Sequence, residues 1–348
     1  MRANHRGAGR KAVRPRAHPS EKKPTFQRNR RRGLQRRNQQ RHRYFLRHSL
    51  ASTYLVIREA VREAPSPYRC RPKGTAGRPP TDPRDVVLFV LLRTLEGWSY
   101  DHTHDVLHTL PALREMLGMR GHPAASTVAN LIDRIPPAYW TRLLQSTVVR
   151  LARGRCNAAG DSTGVGTQDF QRWYNVRYGS GEHRVFLKLH ALIATRAQWP
   201  FFLSAEVTEG TRGDAPEVER LLALLPIDLE LGNVALDKGY QSRRNAQLIE
   251  DRGGLPVMAL KKNIMHAYSK FHSAEACPAF KRMVLRQRGD PGAHRLRYHR
   301  RPVIEGLFGA FKGRFGARVR SRRRHTQRTE ILARVVTWNL LGLVYHRA

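Results

Sequence analysis

The chain has 348 residues and a formal charge of +37, from 64 Lys and Arg against 27 Asp and Glu. That length can bury a substantial core and holds more than one domain, and a charge so one-sided points to a polyanionic partner. The longest apolar run, Val86 to Leu92, is far too short to span a bilayer, and Cys70, Cys156 and Cys277 have no metal or redox spacing. The expectation is an intracellular protein with free thiols. No apolar segment follows the basic N-terminus to make a signal peptide.

Residues 1–48 hold 17 Lys or Arg against Glu21 alone. Such a stretch cannot bury enough surface to fold by itself, so a disordered basic tail is predicted. It is either an electrostatic arm for nucleic acid or a solubilising extension. A helix is predicted from Leu50 to Ala64, ended by Pro65-Ser66-Pro67, and a Gly/Pro-rich linker spans 65–80. The next helix has a strong start: Asp82 as N-cap, Pro83 at the first position and Asp85 in the first turn. It runs to Gly97. Further helices follow, one capped by Ser99 and running through Leu107, then Ala112 to Leu117 and Ser126 to Ile135, and Tyr139 to Leu151 leads into the next domain. Residues 49–150 thus form a small helical domain. Its Ser126–Ile135 segment could enter a DNA groove, but Arg134 is its one fixed positive charge, which favours a plain helical cap. His102, His104 and His108 lack a well-placed further ligand and are expected to be solvated or locally hydrogen-bonded.

From Cys156 the pattern becomes α/β, giving a predicted domain at 151–348. Val185–Ile193 and Phe201–Thr208 alternate apolar and polar residues, as a half-buried antiparallel hairpin does. Asp214-Ala215-Pro216-Glu217 is predicted to be a capping box for a helix Val218–Leu225, which accounts for Asp214 better than a role as a fourth metal ligand. Val234–Leu236 is a short strand, Arg243–Arg252 a helix, and Leu255–Leu260 a strand ending in Lys261-Lys262. Trp173-Tyr174 and Arg177-Tyr178 suit either stacking on exposed bases or packing at a sheet edge. A helix is predicted to begin at Pro302, with Ile304, Leu307, Phe308 and Phe311 as its apolar stripe. Gly306, Ala310, Gly313 and Ala317 form a small-residue stripe that calls for a close neighbouring backbone. Arg318, Arg320, Arg322, Arg323, Arg324 and Arg328 are a second basic cluster, suited to phosphate contact. Ile331–Tyr345 is a core helix.

Three acidic residues stand out against this basic background. Asp161 opens Asp161-Ser162-Thr163-Gly164, and Asp237 lies in Ala235-Leu236-Asp237-Lys238-Gly239-Tyr240; each is predicted at or just beyond the end of a short strand. Glu305 lies in the first turn of the Pro302 helix, with Arg301 before it and Lys312 two turns on. Carboxylates projecting from adjacent strands and a packed helix suit a pair of Mg²⁺ ions, which prefer hard oxygen ligands. Two such ions can stabilise both the attacking and the leaving oxygen of an in-line phosphoryl displacement.

Tyr298, Arg301, Glu305 and Lys312 have the spacing Tyr-x2-Arg-x3-Glu-x6-Lys. With the Asp161 and Asp237 segments, in this order, the chain resembles an insertion-sequence DDE transposase of the group that includes insertion-sequence families four and five. The resemblance covers roughly residues 79–346. It implies a ribonuclease-H-like catalytic domain, a mixed sheet flanked by helices, with Asp161, Asp237 and Glu305 as the metal-binding catalytic triad. It also implies that Tyr298, Arg301 and Lys312 grip transposon-end DNA; Lys238, Lys261, Lys262, Arg318 and Arg320 are further candidate DNA contacts. The expected cofactor is Mg²⁺, as two ions, with Mn²⁺ able to substitute. The expected partner is double-stranded DNA, both terminal inverted repeats and target, bound by a homodimer at the nucleoid, with no membrane involved.

Overall fold

The computed structural model describes residues 50–70, 80–167, 186–260 and 278–347. The basic tail, Trp173-Tyr174, Arg177-Tyr178, Lys261-Lys262 and Cys277 lie outside the described residues.

The first part is helical. Helix α1 covers 50–63. Helix α2 (Pro83–Glu96) starts where Asp82 accepts the Arg84 amide at 2.9 Å and ends at Gly97, whose positive φ of 73° closes the last turn. The short helices α3 (Tyr100–Thr109), α4 (Pro111–Leu117) and α5 (Ala125–Leu131) follow, and α6 (Pro137–Leu151) leads into the sheet. The loop before α5 brings His122 to the α3 histidines: its Nε2 lies 3.2 Å from His108 Nδ1, while His104 Nδ1 meets the Pro123 carbonyl at 3.2 Å.

Five strands then form one mixed sheet: β1 (Cys156–Gly166), β2 (Phe186–Ala194), β3 (Phe202–Glu209), β4 (Leu231–Leu236) and β5 (Leu255–Met258), in the order β3-β2-β1-β4-β5. The β1–β2 and β2–β3 pairs are antiparallel, and β1–β4 and β4–β5 are parallel. Helix α7 (Glu217–Ala223) links β3 to β4, and α8 (Arg243–Asp251) links β4 to β5. Helices α9 (Pro278–Gly289) and α10 (Pro291–Tyr298), which the sequence pattern did not announce, then lead to α11 (Val303–Phe315) and α12 (Arg324–Arg347).

Three expectations need correcting. Asp161 is not at a strand end, because β1 continues five residues beyond it as the partner of β2. The run Asn157-Ala158-Ala159-Gly160 has poor strand propensity, but as a central strand it pairs on both sides, and packing overrides propensity. The capping box at Asp214–Glu217 does not form. Pro216 is the N-cap residue of α7 without a side-chain bond, while the buried Glu217 carboxylate pairs with Arg212 at 2.6 Å and Arg220 at 3.3 Å. The glycines of the small-residue stripe meet no neighbour: among the described residues a Cβ built at Gly306 or Gly313 finds nothing within 4 Å, and the same holds at Gly309. The helix α11 itself begins at Val303, one position after the predicted start, with Pro302 as its N-cap residue.

The buried core runs continuously from Val56 in α1 through the sheet to Val344 in α12. Helix α12 is buried on all sides from Thr329 to Tyr345 and packs on α2, α6 and β3, with its buried Glu330, Arg334, Thr337 and Asn339 paired inside the molecule. Its Asn339 closes the outer edge of β3: its Oδ1 accepts the Phe202 amide at 2.9 Å and its Nδ2 donates to the Phe202 carbonyl at 2.8 Å. An edge strand's free backbone groups are thereby paired from within the molecule.

Candidate active site

The parallel ladder of β1 and β4 ends at the pair Gly160 and Leu236. The next residue on each strand is acidic. Parallel pairing keeps residues in equal register on the same face, so Asp161 and Asp237 emerge side by side at the carboxyl end of the seam. Gly160 suits this seam because it lacks a side chain. A Cβ there would come 2.3 Å from Leu236 Cδ2 and 2.9 Å from Leu192 Cδ2, so a side chain would force these two buried leucines to repack beside Asp161.

Glu305 reaches the same point from the first turn of α11, whose Ile304, Leu307, Phe308 and Phe311 are buried as the sequence predicts. A tight turn joins α10 to α11, with the Arg301 amide donating to the Tyr298 carbonyl at 2.9 Å. It carries Arg301 into the midst of the three carboxylates. Arg301 Nη1 lies 2.6 Å from Glu305 Oε1 and 3.4 Å from Asp161 Oδ2, and Nη2 lies 3.4 Å from Asp237 Oδ1. Its Nε donates to the Tyr298 hydroxyl at 3.3 Å. Residues separated by 144 positions thus meet around one guanidinium, Asp161 at one end of the chain segment and Glu305 at the other.

The electrostatics follow from that geometry. Burial pushes the Asp161 carboxyl above its ordinary value; the Ser162 amide, donating at 2.8 Å, and Arg301 pull it back, while Asp237 and Glu305 push it further up. Burial also works against the Arg301 charge, but the Tyr298 hydroxyl, Asp237 and Asp161 hold its pKa above the ordinary value. Among the described residues no group of three His, Cys, Asp or Glu side chains is already arranged around a metal position. At this site the guanidinium stands between the carboxylates.

The other predicted contacts are spread around this centre. Lys238 is exposed on the 3₁₀ turn Lys238–Tyr240 that follows Asp237, and Lys312 is partly exposed on α11. Arg318 is exposed on a short segment that pairs with the end of β1 at Gly166. Arg320 is engaged within the molecule: its guanidinium donates to the Gly97 carbonyl at 2.7 Å and the Trp98 carbonyl at 3.3 Å, capping the end of α2. In the same basic cluster Arg323 pairs with Asp133 at 2.8 Å and Arg324 with Glu209 at 3.1 Å.

A polar group behind the carboxylates is absent from the sequence-based expectations. Ser162, Lys188, His190, Asp214 and Tyr240 hydrogen-bond to one another under the strand ends. Its signal was the alternation of β2, where Lys188 and His190 are two polar residues spaced to share a face that should otherwise be apolar.

The family model for the transposase DDE domain matches residues 152–340, just over half of the chain, and this span contains all three carboxylates and Arg301. No curated protein and no solved structure shows significant similarity. Five mixed strands flanked by helices are consistent with such a domain. The chain therefore belongs to the DDE transposase family.

Proposed function

We propose that the protein is a DNA transposase that cleaves at the terminal inverted repeats of its own element and joins the freed ends to target DNA. The observation that carries the reading is the meeting of Asp161, Asp237 and Glu305 on Arg301. The strand order, with one antiparallel hairpin added to a parallel three-strand seam, supports a ribonuclease-H-like catalytic core.

The donor set fits a divalent cation: three carboxylates supply hard oxygen ligands, at a point that already favours positive charge. Asp161, Asp237 and Glu305 would hold Mg²⁺, as a pair of ions, with Mn²⁺ able to substitute. When bound, such ions supply Lewis acidity at the scissile phosphate and lower the pKa of an attacking water. The protein's own part is positioning and charge. Arg301 is placed to shift its planar fork from carboxylates to a phosphate, a geometry in which guanidinium binds both. Tyr298, through its hydroxyl, steers that fork. Lys238, Lys312 and Arg318 extend the positive surface along the DNA backbone, and Arg320 supports it from its anchorage on α2; Lys261 and Lys262, outside the described residues, are further candidates by charge alone. A homodimer brings two ends together at the nucleoid.

The test is to incubate the full chain and Mg²⁺ with DNA bearing the inverted repeats that flank its gene. Nicks at the repeat boundary and joined products are expected. Nicking without joining of a pre-cut end would mean a nuclease of this family, and binding with no metal-dependent cleavage would mean an inactive relic.

A further inference from the structure

Asp214 has no role in the chemistry above, yet it is bonded to the segment that carries Asp161 and lies beside the turn that follows Asp237. Its Oδ1 accepts the Ser162 hydroxyl at 2.9 Å, and Ser162 directly follows Asp161. On its other side the backbone of the turn after Asp237 passes close by: a Cβ built at Gly239 would lie 3.6 Å from Asp214 Oδ2. The carboxylate is itself held from β2, by Lys188 Nζ at 3.0 Å and by His190, whose Nδ1 is 3.5 Å away. His190 is fully buried, braced by the Thr208 hydroxyl at 2.9 Å and the Tyr240 hydroxyl at 3.4 Å. Asn245 completes the frame, donating to the carbonyls of Tyr240 at 2.8 Å and Ala215 at 2.9 Å.

The chemistry argues against Asp214 as a ligand in its own right. Its Oδ1 already accepts a hydroxyl and an ammonium, and that ammonium offsets the charge a cation would seek. What remains is a fixed anion, bonded to the Asp161 strand and set beside the Asp237 turn. Resting on the reading of Asp161 and Asp237 given above, we propose that Asp214 is the positioning residue of the site, locking the Asp161 strand and the Asp237 turn into one register from behind. Groups that orient metal-binding side chains in this way typically affect metal affinity 10- to 100-fold.

The experiment compares the full chain with Asp214→Ala and Asp214→Asn, using Asp161→Asn as control. Two readouts are taken, neither of them turnover: amide hydrogen exchange, and Mn²⁺ affinity from the electron paramagnetic resonance signal of the free ion. Asp214→Ala should speed exchange together in 160–163 and 237–240, leave α2 unchanged, and weaken Mn²⁺ binding about 10- to 100-fold. Asp214→Asn, which keeps an acceptor for Ser162, should fall between it and the parent. If Asp214→Ala does not fold, Asp214→Asn is judged by the same criteria. Exchange that rises in neither segment, in only one, or uniformly across the sheet overturns the proposal, as does unchanged Mn²⁺ affinity in a parent that binds the ion. A parent that binds no Mn²⁺, and is indistinguishable from Asp161→Asn, would instead sink the metal reading of the carboxylates. The exchange pattern would then decide the positioning role by itself.

Discussion

Asp237 and Arg301 carry opposite charges at one point, and their removal should have opposite effects on cation binding. Asp237→Asn is nearly isosteric and deletes one carboxylate from the set, so the fold should persist, Mn²⁺ affinity should drop, and nicking and joining should collapse together. A variant that still cut at the parent rate would refute the assignment. Arg301→Ala removes the cation that lies within 3.4 Å of all three carboxylates. Without DNA it should bind Mn²⁺ more tightly than the parent, because no guanidinium competes for the carboxylates, and yet cleave poorly, because the phosphate loses its clamp. Titrating Mn²⁺ in both variants checks the sign; weaker binding in Arg301→Ala would show that the guanidinium organises the carboxylates instead of competing for them. Asp237, Arg301 and Glu305 were legible in the sequence, since spacing on a helix and a hydrophobic strand end are local features; Asp161 stood out by its motif, although its strand runs on past it. Asp214 was not legible in this way. Its spacing from Glu217 matches a local motif, and only the sheet register shows that Ser162 and Lys188, distant in sequence, claim it first.

At the scale of elements, the segment 316–321 between α11 and α12 depends on a buried ion pair. Glu330 lies 2.6 Å from Arg334 and accepts the amides of Arg320 and Ser321 and the Ser321 hydroxyl, while Arg334 donates to the carbonyls of Gly316 and Arg318. Burial raises the Glu330 carboxyl, but Arg334, the Ser321 hydroxyl and the Arg320 amide outweigh it and hold the pKa below its ordinary value. A carboxylate depressed in the folded state contributes stability above its unfolded pKa and loses it as pH falls through the folded one. Glu330→Gln should therefore cost about 3–5 kcal/mol near neutral pH, since it leaves Arg334 buried without its partner charge. Urea melts of variant and parent should converge as pH drops below the normal carboxylate range. A gap independent of pH would mean that packing, not charge, is at stake. Most elements were legible because caps and periodicity mark them: Asp82-Pro83 and Gly97 bound α2 as predicted. Helices α9 and α10 escaped because Arg and Gly interrupt their apolar spacing, and their burial comes from Phe280, Met283, Val284 and His294 meeting the rest of the core.

Over the whole molecule, charge is the dominant fact. The net +37 includes the tail of residues 1–48, outside the described residues, and that tail should act as a general contact to DNA backbone rather than a reader of sequence. Each phosphate contact contributes about 0.9 to the slope of log affinity against log salt. Removing residues 1–48 should flatten that slope on any duplex, with little effect on preference among sequences. An unchanged slope would mean that the tail does not touch the backbone. Among the described residues no helix is long and apolar enough to cross a membrane.

The vacant flank of α11 has a consequence for evolution. Gly306, Gly309 and Gly313 lie on a helix that each weakens by about 1 kcal/mol relative to alanine, and among the described residues no neighbour requires their lack of a side chain. On stability alone alanine would be favoured at all three, and the open flank leaves room for a DNA backbone to approach the helix closely. Gly309→Ala with Gly313→Ala should raise the melting temperature and slow end cleavage in the same protein, a trade of robustness against activity. Gain in both would mean that these glycines are merely unimproved positions.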